Sequence, residues 1–323
     1  MILLNAESDG YSEPATTILR ALGEVRLRTL RREQLLAALA DVDILIIRLA
    51  NQIDAEVLAA APNLKVIVSA TTGLNHIDLA TAKNQNITVL SLRGETEFLS
   101  TISATAEHTW ALLLALVRNL PAAVASVTAG EWVRDCFRGH ELNGKTLGIV
   151  GLGRLGGKVA QYASAFGMRV HAYDPYRKHW PTNVTRIVDL NELCAGADVL
   201  SLHMPLDETT TKMISERQLS QLPRGAILVN TSRGEVIDEA ALITALENRI
   251  LAGAALDVVS NEIDHLRGEK QSALIAWAAL HPQRLIITPH IGGATLESMH
   301  RTEVFMAQKL AAHLRSARYV GYE

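Results

Sequence analysis

The sequence predicts an α/β protein built from two doubly wound, parallel-sheet domains. Three observations carry that prediction. Short apolar, β-branched runs alternate with helical stretches almost from end to end, the rhythm of a parallel sheet covered by helices on both faces. The rhythm breaks near residue 100 and restarts near residue 146. A chain of 323 residues is also too long for one ordinary hydrophobic core.

In chain order, the first series of strands reads ILLNA (2–6), VRLRTL (25–30), VDILIIR (42–48), LKVIVSA (64–70) and ITVLSL (87–92). Helical segments PATTILRALG, REQLLAALA, DAEVLAAAP and HIDLATAKNQ lie between them. ATAEHTWALLLALVRNLP (104–121) reads as one long helix, apolar nearly all round, as in helices buried between layers, domains or subunits. A loop-rich stretch, AGEWVRDCFRGHELNG, follows. The second series is TLGIVG (146–151), RVHAYD (169–174), DVLSLH (198–203), AILVNTS (226–232), AGAALDV (252–258) and LIITPH (285–290). LESMHRTEVFMAQKLAAHLRS forms a last helix.

Composition removes several functions. With a net charge of −3 and 4% aromatics, the chain offers neither a basic footprint nor stacking platforms for nucleic acid. Its two cysteines form no C-x-x-C, which argues against a disulfide framework or a thiolate zinc site. The histidines are scattered, with no i, i+4 pair around a glutamate, so no metal site is expected. MILLNAESDG carries no basic leader region, and the longest apolar run, WALLLALV, is far shorter than a membrane span. The expectation is a cytoplasmic protein with no membrane partner.

The second-series strands run out at or near Asp174, His203, Arg233, Asp257 and His290. Ligands of an open α/β sheet bind beyond the carboxyl ends of its strands, so these polar ends point to one crevice. GLGRLG (151–156) lies there, between the strand TLGIV and a helical segment. Its first glycine permits a tight turn, the second lets backbone approach a pyrophosphate, and the third allows helix–strand contact. Helix N-terminal amides complete the anion site. Asp174 ends the next strand, where a carboxylate about 20 residues on receives a ribose 2′-hydroxyl. That favours NAD over NADP, although Arg177 and Lys178 follow closely. GHELNGKT (139–146) also fits a triphosphate-loop spacing. It enters a strand rather than a helix, the wrong context for that loop.

Arg233, Glu262 and His290 form a candidate catalytic set at the same crevice. When a hydride reaches a carbonyl carbon, the oxygen needs a proton, which an imidazolium supplies near neutral pH. A carboxylate on the other ring nitrogen would hold the ring. A guanidinium would polarise the carbonyl and pair with an adjacent carboxylate. Together they suit a 2-keto acid reductase.

GKTLGIVGLGRLG, AFGMRVHAYDP, LSLHMPLDETTTKMI, RGAILVNTSRGEVIDEAAL, AALDV and ITPHIGGAT occur in the order and spacing of the D-isomer-specific 2-hydroxyacid dehydrogenases, which the chain resembles over essentially its whole length. The likeness is to the branch of D-3-phosphoglycerate dehydrogenases. It implies Arg233, Glu262 and His290 as the catalytic residues. It puts cofactor contacts at Gly151, Gly153, Arg154, Leu155, Asp174, His203, Pro205, Thr231, Asp257 and Gly293. The substrate carboxylate would meet backbone amides in TTGLNHID, near Thr72, Gly73 and Leu74. Residues 1–100 with 292–323 would form a discontinuous, flavodoxin-like substrate-binding domain, and residues 101–291 an NAD-binding Rossmann domain. A cleft would lie between them, closing on hinges near 100 and 292. The long apolar helix and the EWVRDCF region would build a homodimer interface.

Some features bear on the substrate. Ile263 stands where the family usually has proline, DHLRGEKQSALIAWAALHPQ is somewhat long, and SATTGLNHID replaces a glycine-richer loop. Glu262 argues against the formate-oxidising branch, which pairs its histidine with glutamine. Arg48 resembles a phosphate-contacting arginine of 3-phosphoglycerate dehydrogenases; Arg93 and Arg134 are further candidates. These favour a phosphorylated or dicarboxylic 2-keto acid over hydroxypyruvate or glyoxylate. The sequence stops at Glu323, so no appended regulatory domain is expected. The rival from another class is an NAD-sensing, corepressor-like binding protein.

Overall fold

The computed structural model describes residues 1–262 and 272–319. The departures at Ile263 and in DHLRGEKQ (264–271) lie outside the described residues. The chain divides into two compact units, Met1–Ile102 with Ala294–Glu323, and Ser103–Gly293.

The first unit holds β1 (Ile2–Asn5), β2 (Glu24–Leu27), β3 (Ile44–Ile47), β4 (Val66–Ser69) and β5 (Thr88–Ser91). They form an all-parallel sheet in the order β2-β1-β3-β4-β5, the flavodoxin-like winding. Successive strand residues alternate between faces. Leu4, Leu45, Ile47 and Ile67 pack with Leu35, Leu39 and Val57 on one side. Leu3, Ile44, Ile46 and Val66 pack with Leu19, Met306 and Leu310 on the other. Asp54 and Asp78 start their helices by accepting from Val57 N and Thr81 N, as N-caps do.

The second unit holds β6 (Thr146–Val150), β7 (Arg169–Tyr173), β8 (Thr185–Arg186), β9 (Val199–Leu202), β10 (Ala226–Asn230), β11 (Leu251–Leu256) and β12 (Leu285–Ile287). The sheet is parallel throughout, in the order β12-β11-β10-β9-β6-β7-β8. Its winding reverses between β6 and β9, the switch point at which such sheets bind ligands. Helix Ala104–Val117 covers one face, with Trp110, Leu113 and Leu116 against Leu147, Ile149, Val199 and Val229.

Three expectations needed correction. The long helix ends at Val117, because Asn119 takes a left-handed conformation (φ 54°) and Pro121 opens a separate helix, Leu120–Thr128. Proline suits a first helical turn and not an interior one. VRLRTL supplies only the half-exposed edge strand β2. The runs AILVNTS and LIITPH are strand only as far as Asn230 and Ile287, so Arg233 and His290 lie on the loops just beyond β10 and β12.

Candidate active site

The turn after β6 has its first glycine, Gly151, at φ 87°. A Cβ there would meet the His203–Met204 backbone at 2.9 Å, and a Cβ on Gly156 would lie 2.1 Å from the Gly151 carbonyl oxygen. The third glycine thus lets helix Arg154–Ala165 dock on the turn. Gly153 caps that helix in open space, with nothing within 4 Å of a Cβ position. Arg154 and Leu155 form the helix's first turn, and burial lowers the Arg154 pKa. Asp174 braces the turn: Oδ2 accepts from Leu152 N at 2.9 Å, and Oδ1 accepts from Tyr176 N and Arg177 N. Arg177 also donates to the Leu152 carbonyl.

The next wall is the segment after β9. His203 Nε2 pairs with Ser201 Oγ at 2.8 Å, while Nδ1 is buried with no partner among the described residues. Burial lowers the His203 pKa to about 4, leaving a neutral imidazole on a residue whose backbone approaches Gly151. Pro205 is exposed, and Thr231 is buried with its hydroxyl 2.8 Å from that of Thr109. Gly293 is exposed with open space around it. An open glycine turn, a helix N-terminus and an orphaned buried nitrogen fit a dinucleotide. Gly151, Gly153, Arg154 and Leu155 would hold its pyrophosphate, and Asp174 a ribose.

His290 donates from Nδ1 to Glu262 Oε2 at 2.6 Å, so its Nε2 is the nitrogen left for chemistry. The other Glu262 oxygen accepts from Val259 N at 3.3 Å. Arg233 follows a turn organised by fully buried Asn230. Asn230 Nδ2 donates to the Arg233 carbonyl, and its Oδ1 accepts from Ser232 N and Oγ. The guanidinium itself donates to the Ser232 carbonyl at 2.6 Å. The Arg233 and Glu262 loops brace each other. A Cβ on Gly234 would lie 2.0 Å from the Val259 carbonyl carbon, and Glu235 and Glu239 accept from Asn261 N and Ser260 N.

Sequence reasoning placed Asp257 here but missed what surrounds it. The carboxylate is 1% exposed and accepts from Ile291 N (2.8 Å), Gly292 N (2.7 Å) and Thr288 Oγ1 (2.6 Å). His108, on the apolar helix, reaches both Asp257 Oδ1 and Thr288 Oγ1. The readable signal was the one imidazole in a helix that is apolar from Trp110 onward.

In the first unit, Thr72 is exposed and Gly73 and Leu74 are half-buried on the loop after β4. Arg48 is engaged by its own unit: it donates to the carbonyls of Glu7 (2.5 Å) and Asp9 (2.7 Å) and lies 3.5 Å from buried Glu303. Arg93 is exposed, and exposed Arg134 pairs with Asp135.

Residues 110–292 match the family model described as D-isomer specific 2-hydroxyacid dehydrogenase, NAD binding domain. A D-3-phosphoglycerate dehydrogenase of Methanocaldococcus jannaschii is 38% identical over 312 residues, covering 95% of this chain and 57% of the relative. A hydroxypyruvate reductase of Thermotoga maritima is 34% identical over 309 residues, covering 95% and 97%. The solved structure of D-lactate dehydrogenase from Aquifex aeolicus, complexed with NAD and lactic acid, is similar with a TM-score of 0.83 and 28% identity, covering 98% of this chain and 96% of that one. The chain spans about half the length of the phosphoglycerate dehydrogenases it matches. Among the described residues no single helix is long and apolar enough to cross a membrane.

Proposed function

The chain belongs to the D-isomer specific 2-hydroxyacid dehydrogenases, and we propose that it moves a hydride between NAD(H) and a small 2-hydroxy acid or its 2-keto counterpart. The observation that most supports this is the 2.6 Å bond from His290 Nδ1 to Glu262. It fixes the ring and leaves Nε2 to exchange a proton with the substrate oxygen. Bound NAD(H) would supply or accept the hydride. Arg233 polarises the substrate carbonyl, with room in its fork for the adjacent carboxylate. Amides of Thr72, Gly73 and Leu74 receive that carboxylate. In this reading Met1–Ile102 with the last helix is the substrate-binding unit and Ser103–Gly293 the cofactor unit.

The phosphorylated substrate class rested chiefly on Arg48. Its engagement with Glu7, Asp9 and Glu303 favours a second reading, an unphosphorylated acid of the hydroxypyruvate or glyoxylate type. A homodimer is also part of the proposal. Helix Leu120–Thr128 is apolar yet buries no residue, and Trp132 beyond it is 88% exposed. A reducing, cytoplasmic setting suits two free thiols, Cys136 and Cys194.

The test is NADH consumption with phosphohydroxypyruvate, hydroxypyruvate, glyoxylate and 2-oxoglutarate. At least one should be reduced, and His290→Asn should lower turnover by about 10²–10⁴-fold with NADH affinity unchanged. Silence across the panel by protein that binds NADH would overturn the enzyme reading in favour of a binding protein.

A further inference from the structure

We infer that Ser69, Thr71 and His76 are positioning residues, a hydrogen-bond chain that aims the Leu74 amide at the carboxylate of the substrate. The inference rests on the 2-keto acid reading above and adds to it the side chains that shape the receiving loop.

The loop leaves β4 at Ser69, which is 0% exposed, rises to exposed Thr72 and returns to His76, which is 5% exposed. Ser69 Oγ lies 2.8 Å from Thr71 Oγ1 and 3.3 Å from His76 Nε2. Thr71 Oγ1 donates to the Gly73 carbonyl at 2.8 Å. The direction of the chain follows from its end. A carbonyl only accepts, so the single Thr71 hydroxyl proton goes to Gly73. Thr71 must then accept from Ser69, and Ser69, its proton spent, accepts from an Nε2–H on His76. One tautomeric arrangement satisfies every member.

The consequence falls on the peptide between Gly73 and Leu74. Carbonyl and N–H of a planar trans peptide point in opposite directions. With the Gly73 oxygen drawn toward Thr71, the Leu74 N–H faces the other way. The loop's ends are anchored through carbonyls: Leu92 N donates to Thr71 O at 3.0 Å, Ile77 N to Leu74 O at 3.0 Å, and Ile53 N to His76 O at 2.7 Å. Among the described residues the amides of Thr72, Gly73 and Leu74 donate to no protein acceptor. A rigid turn with unspent donors is an anion receptor. SATTGLNHID contains no Lys or Arg, so the loop itself offers only neutral donors and leaves the charge to Arg233, which suits one carboxylate better than a phosphate. Where a glycine-richer loop would depend on backbone conformation, hydroxyls and an imidazole set the same peptide.

Thr71→Val removes the hydroxyl and keeps the branched shape. In NADH-loaded protein it should raise both the KM of the best 2-keto acid and the dissociation constant of oxamate, a non-reducible analogue, by about tenfold. NADH affinity should stay unchanged and kcat should change far less than KM. Thr71→Ser should restore both constants. Ser69→Ala, which cuts the chain one bond earlier, should move them the same way and serves if Thr71→Val does not fold. Unchanged oxamate binding in either folded variant, or failure of Thr71→Ser to rescue, overturns the inference alone. Wild-type protein that binds NADH but neither oxamate nor any 2-keto acid overturns the functional reading, and this inference with it.

Discussion

The turns after β6 and β12 belong to one parallel sheet, yet they are built by opposite means. The first works by omission. Gly156 carries no Cβ because one would lie 2.1 Å from the Gly151 oxygen, and the space above Gly153 is empty to 4 Å. The second works by burial. One carboxylate, Asp257, gathers two amides and a hydroxyl around itself, and His108 closes the set. A turn shaped by missing atoms leaves room for a ligand against its backbone. A turn shaped by a buried carboxylate spends its amides internally and gains a fixed apex. That apex is His290, held at φ 53° with its N–H bonded to the carbonyls of Asp257 and Thr288. Non-glycine residues avoid this region, so the position needs such a network. The difference matches the proposed tasks: a cofactor needs space, and a proton donor needs a fixed seat.

The largest effect should come from removing the centre of the buried network. Asp257→Ala strands two amides and a hydroxyl in a buried site, where each unsatisfied group costs about 1–3 kcal/mol. Unfolding in urea should report a loss of about 3 kcal/mol or more. Turnover should fall about 100-fold or more, since a misplaced catalytic group is that costly. Near-native stability and activity would break the comparison, because His290 would then be held by something else.

Gly156→Ala should do less, and differently. The added methyl must push helix Arg154–Ala165 off the turn, a small-to-large change that costs about 1–3 kcal/mol. Weakened NADH binding should dominate, measured by fluorescence titration, with kcat at saturating NADH largely kept. A kcat defect with unchanged NADH affinity would mean that the two turns are not separable in this way.

The same contrast explains what could be read in advance. The omission turn was legible because its cause is local: three glycines at fixed spacing after a β-branched run need no partner elsewhere. The strands were legible for the same reason, since parallel strands buried on both faces are continuous apolar runs. The burial turn was only half legible. Asp257 and His290 were found from their places beyond strands, but His108 is supplied by a helix far away in sequence, and nothing near it in the chain signals that partner. Asn230, Glu235 and Glu239 escaped similarly, since each acts on a backbone amide or carbonyl, which leaves no sequence pattern. Arg48 was read as a cation available to substrate because Glu303, its counter-charge, sits in the last helix. The break at Asn119, by contrast, was present in N-L-P and could have been read from proline's preference for a first turn.

The segment after β9 combines both constructions and yields the smallest effect. His203 lends its backbone to the close approach of Gly151 and buries its own Nδ1 with no partner among the described residues. Its pKa lies at about 4 in the folded chain against an ordinary 6.5. Between those values the unfolded chain binds a proton that the folded chain refuses, so stability falls as pH drops from 6.5 toward 4. At about 1.36 kcal/mol per unit, wild-type protein should lose about 2 kcal/mol between pH 7 and 5 through this residue. His203→Gln keeps a nitrogen for Ser201 and carries no titrating group, so its urea midpoint should decline less over the same interval. Parallel declines in the two proteins would mean that the imidazole takes up its proton within the fold. Protonation would then need a partner for Nδ1, and the wall beside Gly151 would have to open to admit one. Space at that turn would in that case come from movement as well as from missing side chains.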